Sequence, residues 1–97
     1  MILSTVNAQD SLKVNNIFVY GNTNVNDYVI KRELPFSKGL TYTTQELIRK
    51  LKLGEERLSF TLLFQDVKSN LKNMTSTGGN TESVDVEIVV EEDGFLQ

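Results

Sequence analysis

The sequence predicts an α+β fold, in which two helices pack on one face of a three-stranded mixed sheet in the chain order β-α-α-β-β. Three observations predict it. A β-branched and aromatic run stops at a Gly-Asn pair, a leucine repeat at helical spacing follows a Thr-x-x-Glu box, and apolar and charged residues alternate near the C-terminus. Because the apolar faces of helices and sheets are buried against each other, this order favours one two-layer core.

The composition excludes several classes of chemistry. The 97 residues include no His and no Cys, so the chain lacks an imidazole base, a thiolate or imidazole zinc site and a disulfide framework. The net charge of -3 gives no broad basic surface for nucleic acid. No apolar run approaches the roughly 18 residues of a membrane helix. We therefore expect a single domain without imidazole or thiolate chemistry that takes no cofactor, binds no nucleic acid and does not insert into a membrane.

The N-terminus leaves two interpretations open. Val6 and Ala8 ahead of Gln9 look like the small-residue end of a secretory signal, but no basic start or long apolar run precedes them. Residues 1–12 are either a disordered N-terminus or the remnant of a signal peptide, and the second would mean export. Residues 13–93 form the single predicted domain.

A strand is predicted first, over residues 13–20. Its side chains are β-branched and aromatic, and it stops at Gly21-Asn22, which is typical of a strand followed by a turn. Successive side chains alternate between its two faces, with Ile17 and Val19 on one and Phe18 and Tyr20 on the other.

A short helix follows the turn. Asn24 or Asn26 can cap it, and Pro35 ends it because the residue before a proline is pushed out of the α region. Ile30 and Leu34 lie four residues apart and therefore share one helix face.

A longer helix is predicted from Thr43 to about residue 63. Gly39 precedes it in a connector, where we expect a positive φ, and Thr43 forms a capping box with Glu46. Gly54 is either a mild break or a point where the helix kinks or approaches the sheet closely. The apolar stripe of the helix comprises Leu47, Leu51, Leu58 and Leu62.

The last third predicts a hairpin with strands at 64–74 and 83–91, joined by a loop that contains Gly78-Gly79. Val67 and Leu71 face the core from the first strand, and Lys68 and Lys72 face outward. The core-facing residues of the second strand are Val84, Val86, Ile88 and Val90. Its outward carboxylates, interpreted as a solvated face, are Asp85, Glu87 and Glu91.

In this order and at these spacings, the elements resemble a POTRA (polypeptide-transport-associated) domain of outer-membrane barrel-assembly and surface-antigen proteins. The resemblance extends over nearly the whole chain. The sequence departs from the family at Thr61-Leu62, where members often have a glycine. The residues that carry the resemblance are Gly21, Asn22, Ile30, Leu34, Gly39, Phe64 and Val67.

The resemblance implies a non-catalytic module on the periplasmic side of the bacterial outer membrane. Such modules usually occur in series before a C-terminal β-barrel, so residues 94–97 would link this one to the next. The implied partners are unfolded outer-membrane proteins or accessory lipoproteins, together with neighbouring modules and the barrel. The alternative is a structural spacer or interaction domain of a two-partner secretion or cell-division complex.

The candidate binding site is the edge of the predicted sheet. The topology leaves the first hairpin strand unpaired on one side, where backbone N–H and C=O groups can accept an extended peptide as an added strand. Lys68 and Lys72 have an alternative role there, which is to protect the edge against aggregation. Phe18 and Tyr20 are a second candidate contact surface, unless a neighbouring module or strand covers them. The predicted edge residues are Val67, Lys68, Ser69, Asn70, Leu71, Lys72 and Asn73.

Overall fold

The structure, a computed structural model, describes residues 11–62, 64–76 and 81–92. Its elements are β1 (Ser11–Tyr20), α1 (Asp27–Arg32), β2 (Thr41–Thr43), α2 (Thr44–Thr61), β3 (Asp66–Ser76) and β4 (Thr81–Glu91). The sheet order is β2-β1-β4-β3, with β4 parallel to β1 and antiparallel to β3. The predicted α+β fold is confirmed, but the sheet has four strands rather than three.

The additional strand is β2, which pairs antiparallel with the start of β1, from Ser11 to Lys13. The pairing continues at Val14, whose N–H donates to the Leu40 carbonyl over 2.9 Å and whose carbonyl accepts from the Gly39 N–H over 2.7 Å. Gly39 has a φ of +90°, as predicted. A three-residue strand is too short to show alternation, and its partner residues Ser11 and Leu12 had been placed in the N-terminal tail.

The predicted tail, loop and linker fall largely outside the described residues. Ser11 and Leu12 belong to β1, and Leu12 is buried. Residues 1–10, the Gly78-Gly79 pair and residues 94–97 are not among the residues that the structure describes.

The hydrophobic core lies between the sheet and α2. The predicted inward residues of β4 are buried, and so is most of the α2 stripe. Leu62 is half-buried and packs against the same core. The buried residues that the sequence had placed there are Val84, Val86, Ile88, Val90, Leu47, Leu51 and Leu58.

Gly54 marks a close approach inside an unbroken α2. A Cβ at this position would lie 3.2 Å from the Leu34 side chain and 3.3 Å from the Pro35 ring. The helix therefore packs tightly on the segment after α1. Of the alternatives that the sequence left open, the structure has the close approach, but to this segment and not to the sheet.

The helix ends follow the predicted capping chemistry only in α2. The Glu46 N–H donates to Thr43 Oγ1 over 3.1 Å, and the Thr43 N–H donates to Glu46 Oε1 over 3.2 Å, which completes the capping box. Asn26 stands at the N-cap of α1 but makes no side-chain capping bond. The Asn22 amide instead donates to Asp27 Oδ1 and to the Val25 carbonyl, each over 2.7 Å, and so holds the loop that leads into α1.

Candidate functional site

The strand β3 forms one edge of the sheet. Within the described parts of the chain, its only sheet neighbour is β4, and the pairing is regular from Asp66 opposite Glu91 to Lys72 opposite Asp85. The predicted edge residues therefore lie along an open strand. An open strand presents backbone donors and acceptors on the side away from its neighbour.

A carboxylate from α2 covers the middle of this edge. The Ser69 N–H donates to Glu55 Oε2 over 3.0 Å, and Ser69 Oγ donates to the same oxygen over 2.6 Å. Because the N–H groups of a strand alternate in direction, the Ser69 N–H points to the open side, and those of Val67 and Leu71 share its direction. Sequence reasoning missed this contact, since Glu55 looked like one charge among several on a solvated helix.

Asn73 closes the regular part of the edge. The β3–β4 register shifts between Lys72 and Thr75, and Asn73 has a φ of +55°. Its amide donates to Asp85 Oδ2 over 2.8 Å. Asp85 also accepts from the Asn16 amide over 3.4 Å and is only 9% exposed, so it is buried rather than solvated, contrary to expectation. Asn73 was a predicted edge residue, but the structure places it in this bulge.

The two β3 lysines extend over the outer face of the sheet. Lys72 Nζ lies 3.4 Å from Glu87 Oε2 on the neighbouring strand β4. Lys68 Nζ lies 3.9 Å from Asp66 Oδ2 on its own strand. Both lysine side chains remain more than half exposed, so these ion pairs contribute little stability.

An exposed apolar patch lies on the sheet face opposite the helices. It consists of Phe18, Tyr20 and Val89, which are 42%, 49% and 37% exposed. Tyr20 and Val89 are register partners across β1 and β4, so the patch is continuous over two strands. Phe18 and Tyr20 thus face away from the core as predicted.

The second half of β1 is another open stretch, which sequence reasoning missed. Within the described residues, no segment pairs with β1 on the side away from β4 beyond Val14. A groove of about 290 Å³ runs beside residues 16–20, with Asp27, Lys31 and Lys38 on its far wall. A three-stranded sheet in the predicted order already leaves β1 at an edge. Nothing in the sequence indicated, however, which residues lie beside this edge and form the groove.

Glu92, at the end of β4, binds the loop that follows β1. Its carboxylate accepts from the N–H groups of Asn24 and Val25 over 2.9 and 3.1 Å, from the Asn24 amide over 3.1 Å and from Thr23 Oγ1 over 3.2 Å. The Asn24 N–H is the main cause of a lowered pKa for Glu92, and the other three donors add to it. This contact had no sequence signal, because the loop and Glu92 are 68 residues apart.

The residues that carry the family resemblance lie in turns, in the loop before α1 and in the core. Gly21 has a φ of +92°, and a Cβ there would clash with the Val90 carbonyl oxygen. Asn22 holds the loop before α1, and Gly39 closes the turn beside Val14. The four apolar members are buried in the core: Ile30, Leu34, Phe64 and Val67.

Among the described residues, no three His, Cys, Asp or Glu side chains are grouped to hold a metal ion. None of the helices in this part of the chain is both long and apolar enough to cross a membrane.

Comparison with known proteins identifies the family. The family model POTRA, described as a surface antigen variable number repeat, matches residues 12–93. A crystal structure of Haemophilus influenzae BamA POTRA3-5 matches with a TM-score of 0.64 and 30% identity, over 84% of this chain and 29% of that one. POTRA1-3 of the periplasmic domain of Omp85 from Anabaena matches with a TM-score of 0.54 and 18% identity, over 88% of this chain and 36% of that one.

The chain thus spans about a third of each of these solved fragments. The comparison with curated protein sequences gives no match. Because the family model covers most of the chain and the fold agrees, the protein belongs to the POTRA family.

Proposed function

We propose that this chain is a periplasmic module of an outer-membrane β-barrel assembly or translocation protein. We further propose that it binds extended segments of unfolded barrel precursors, or accessory lipoproteins, by strand addition to β3. The observation that carries this proposal is the open side of β3, which runs in regular register from Asp66 to Lys72. Family membership and the likeness to BamA support the setting.

Backbone pairing suits such clients physically. An added strand is held by main-chain hydrogen bonds, which do not depend on the identity of its side chains. One edge can therefore hold many different sequences weakly. The apolar side chains of Val67 and Leu71 stay on the helix side of the sheet, so the added strand would not have to disturb the core.

The neighbours of the module are part of the proposal. The two solved fragments each contain three POTRA domains by their titles, and this chain matches about one third of each. We propose that further modules flank this one and that a β-barrel follows in the parent protein. The patch of Phe18, Tyr20 and Val89 is a surface where a neighbouring module could pack.

That patch also supports the second candidate function, a structural spacer. A spacer would bury the patch of Phe18, Tyr20 and Val89 against its neighbour and leave β3 without a client. The two candidates differ in which backbone amides respond to an extended peptide.

The test is a titration of the ¹⁵N-labelled chain with a soluble peptide that has the alternating pattern of a barrel strand. We expect the amide signals of Val67, Ser69 and Leu71 to shift, while those of Phe18 and Tyr20 remain in place. Leu71→Pro removes an outward N–H and should abolish binding. Leu71→Ala is the control, because it also loses the packing of the leucine side chain but keeps the N–H, and it should still bind. Unchanged β3 amides at millimolar peptide would favour the spacer.

A further inference from the structure

We propose that Glu55 guards the β3 edge: its carboxylate occupies the Ser69 N–H that an added strand needs, so a client has to displace it. This inference rests on the proposed strand addition and names the residue that limits it. Glu55 then sets which segments bind, because only a strand with enough further contacts can replace the carboxylate.

The contact is centred on the open ladder. Ser69 lies midway between Val67 and Leu71, the two other residues whose N–H groups point outward. Glu55 Oε2 accepts from both the N–H and the Oγ of Ser69, at 3.0 and 2.6 Å. A strand added along Asp66 to Lys72 would place a carbonyl oxygen where this carboxylate oxygen lies.

The exchange of partners is unfavourable by itself. A hydrogen bond to a carboxylate is about twice as strong as one to a neutral carbonyl. An incoming strand replaces the first kind with the second at Ser69, and its other bonds must compensate. Clients that pair over only two or three residues are therefore rejected.

Glu55 is nevertheless free to leave. In the described part of the chain, both hydrogen bonds that the Glu55 carboxylate accepts come from Ser69, and no Lys or Arg forms an ion pair with it. The side chain is half-buried rather than part of the core. Rotation into water would break two hydrogen bonds and leave the packing of α2 unchanged.

The lysines of β3 do not cover the Ser69 N–H. Lys68 and Lys72 pair with Asp66 and Glu87, and these contacts lie on the outer face of the sheet. The carboxylate that touches the outward backbone comes from α2 on the other face. The guard is thus one residue, and one substitution removes it.

The experiment measures two quantities on the full chain, the dissociation constant for an uncharged extended peptide of alternating Thr and Val and the thermal midpoint. Glu55→Ala should lower the thermal midpoint and strengthen peptide binding about tenfold, because a charge-assisted bond no longer competes. Ser69→Ala keeps the N–H but removes the hydroxyl, so it should strengthen binding by a smaller factor. Glu56→Ala makes the same charge change at the next, exposed position and should leave binding as in the wild type.

A guard is recognised because its removal lowers the thermal midpoint and strengthens peptide binding. Removal of a merely structural contact would lower the thermal midpoint without strengthening binding. Should Glu55→Ala lose its fold, Glu55→Gln gives the same comparison with a smaller change. Wild-type binding at β3 that Glu55→Ala fails to strengthen would overturn the guard and leave the proposed function intact. If the peptide shifts no β3 amide signal in the wild type or in any variant, including Glu55→Ala, the proposed function itself fails.

Discussion

The two long edges of the sheet are each covered over part of their length, and by different means. Along β1, the backbone of β2 and of Gly39 and Leu40 takes the donors and acceptors from Ser11 to Val14. Along β3, one side chain, Glu55, takes one backbone donor at Ser69. Backbone closure belongs to the fold and persists until unfolding, whereas a side chain can rotate away. The start of β1 is thus covered permanently, whereas the cover on Ser69 can be removed.

Gly21→Ala should disrupt the β1 side most strongly. The substitution places a Cβ against the Val90 carbonyl oxygen and forces Ala to a φ of +92°. We expect the free energy of unfolding to fall by about 3 kcal/mol or more, since strain and overlap act together. Urea denaturation of the purified chain measures it.

Gly39→Ala is the matched control for this effect. Its φ is nearly the same, +90°, but no atom lies within 4 Å of the Cβ position. The loss should therefore be about 1–2 kcal/mol, from backbone strain alone. Equal losses at Gly21 and Gly39 would mean that the close approach to Val90 has no energetic weight.

Asn73→Ala should destabilise the end of the β3 edge by about 2 kcal/mol, again in urea. The change removes a hydrogen bond to the buried Asp85 and leaves Ala at a φ of +55°. Asn73→Gly accepts this φ and loses only the hydrogen bond, so it should cost about 1 kcal/mol. A glycine variant as stable as the wild type would contradict a role for the Asp85 contact.

Glu92→Gln should have the smallest effect, and its size should depend on pH. The folded pKa of Glu92 is lowered from 4.5, so the ionised carboxylate stabilises the folded state above that pH. This contribution declines as the pH falls through the lowered folded pKa. We expect the wild type to melt at a higher temperature than Glu92→Gln at pH 7, and the gap to close in acid. A gap that stays constant down to pH 3 would show that the charge is not involved.

Features with a short repeat along the chain were predictable from the sequence. The alternation from Val84 to Val90 gave a buried central strand, and the Thr43–Glu46 box gave the start of α2, because both depend on neighbours within four residues. The position of β3 at the edge followed from the number and order of the elements.

Features that depend on distant residues were not predictable. The Glu92 carboxylate finds its donors 68 residues away, and the buried Asp85 accepts from Asn16 and Asn73, which are 69 and 12 residues away along the chain. Glu55 and Ser69 are 14 residues apart on different elements. Nothing in the local pattern around either residue distinguishes this pair from the other charged and polar residues.

The parallel pairing of β1 and β4 fixes where the chain enters and leaves the domain. Since Ser11 aligns with Thr81 and Tyr20 with Val89, the beginning of β1 and the end of β4 lie at opposite ends of the sheet. At about 3.3 Å per residue, these two points are roughly 30 Å apart. A domain of this kind therefore carries its chain from one end of the strands to the other, and the open side of β3 runs alongside this path.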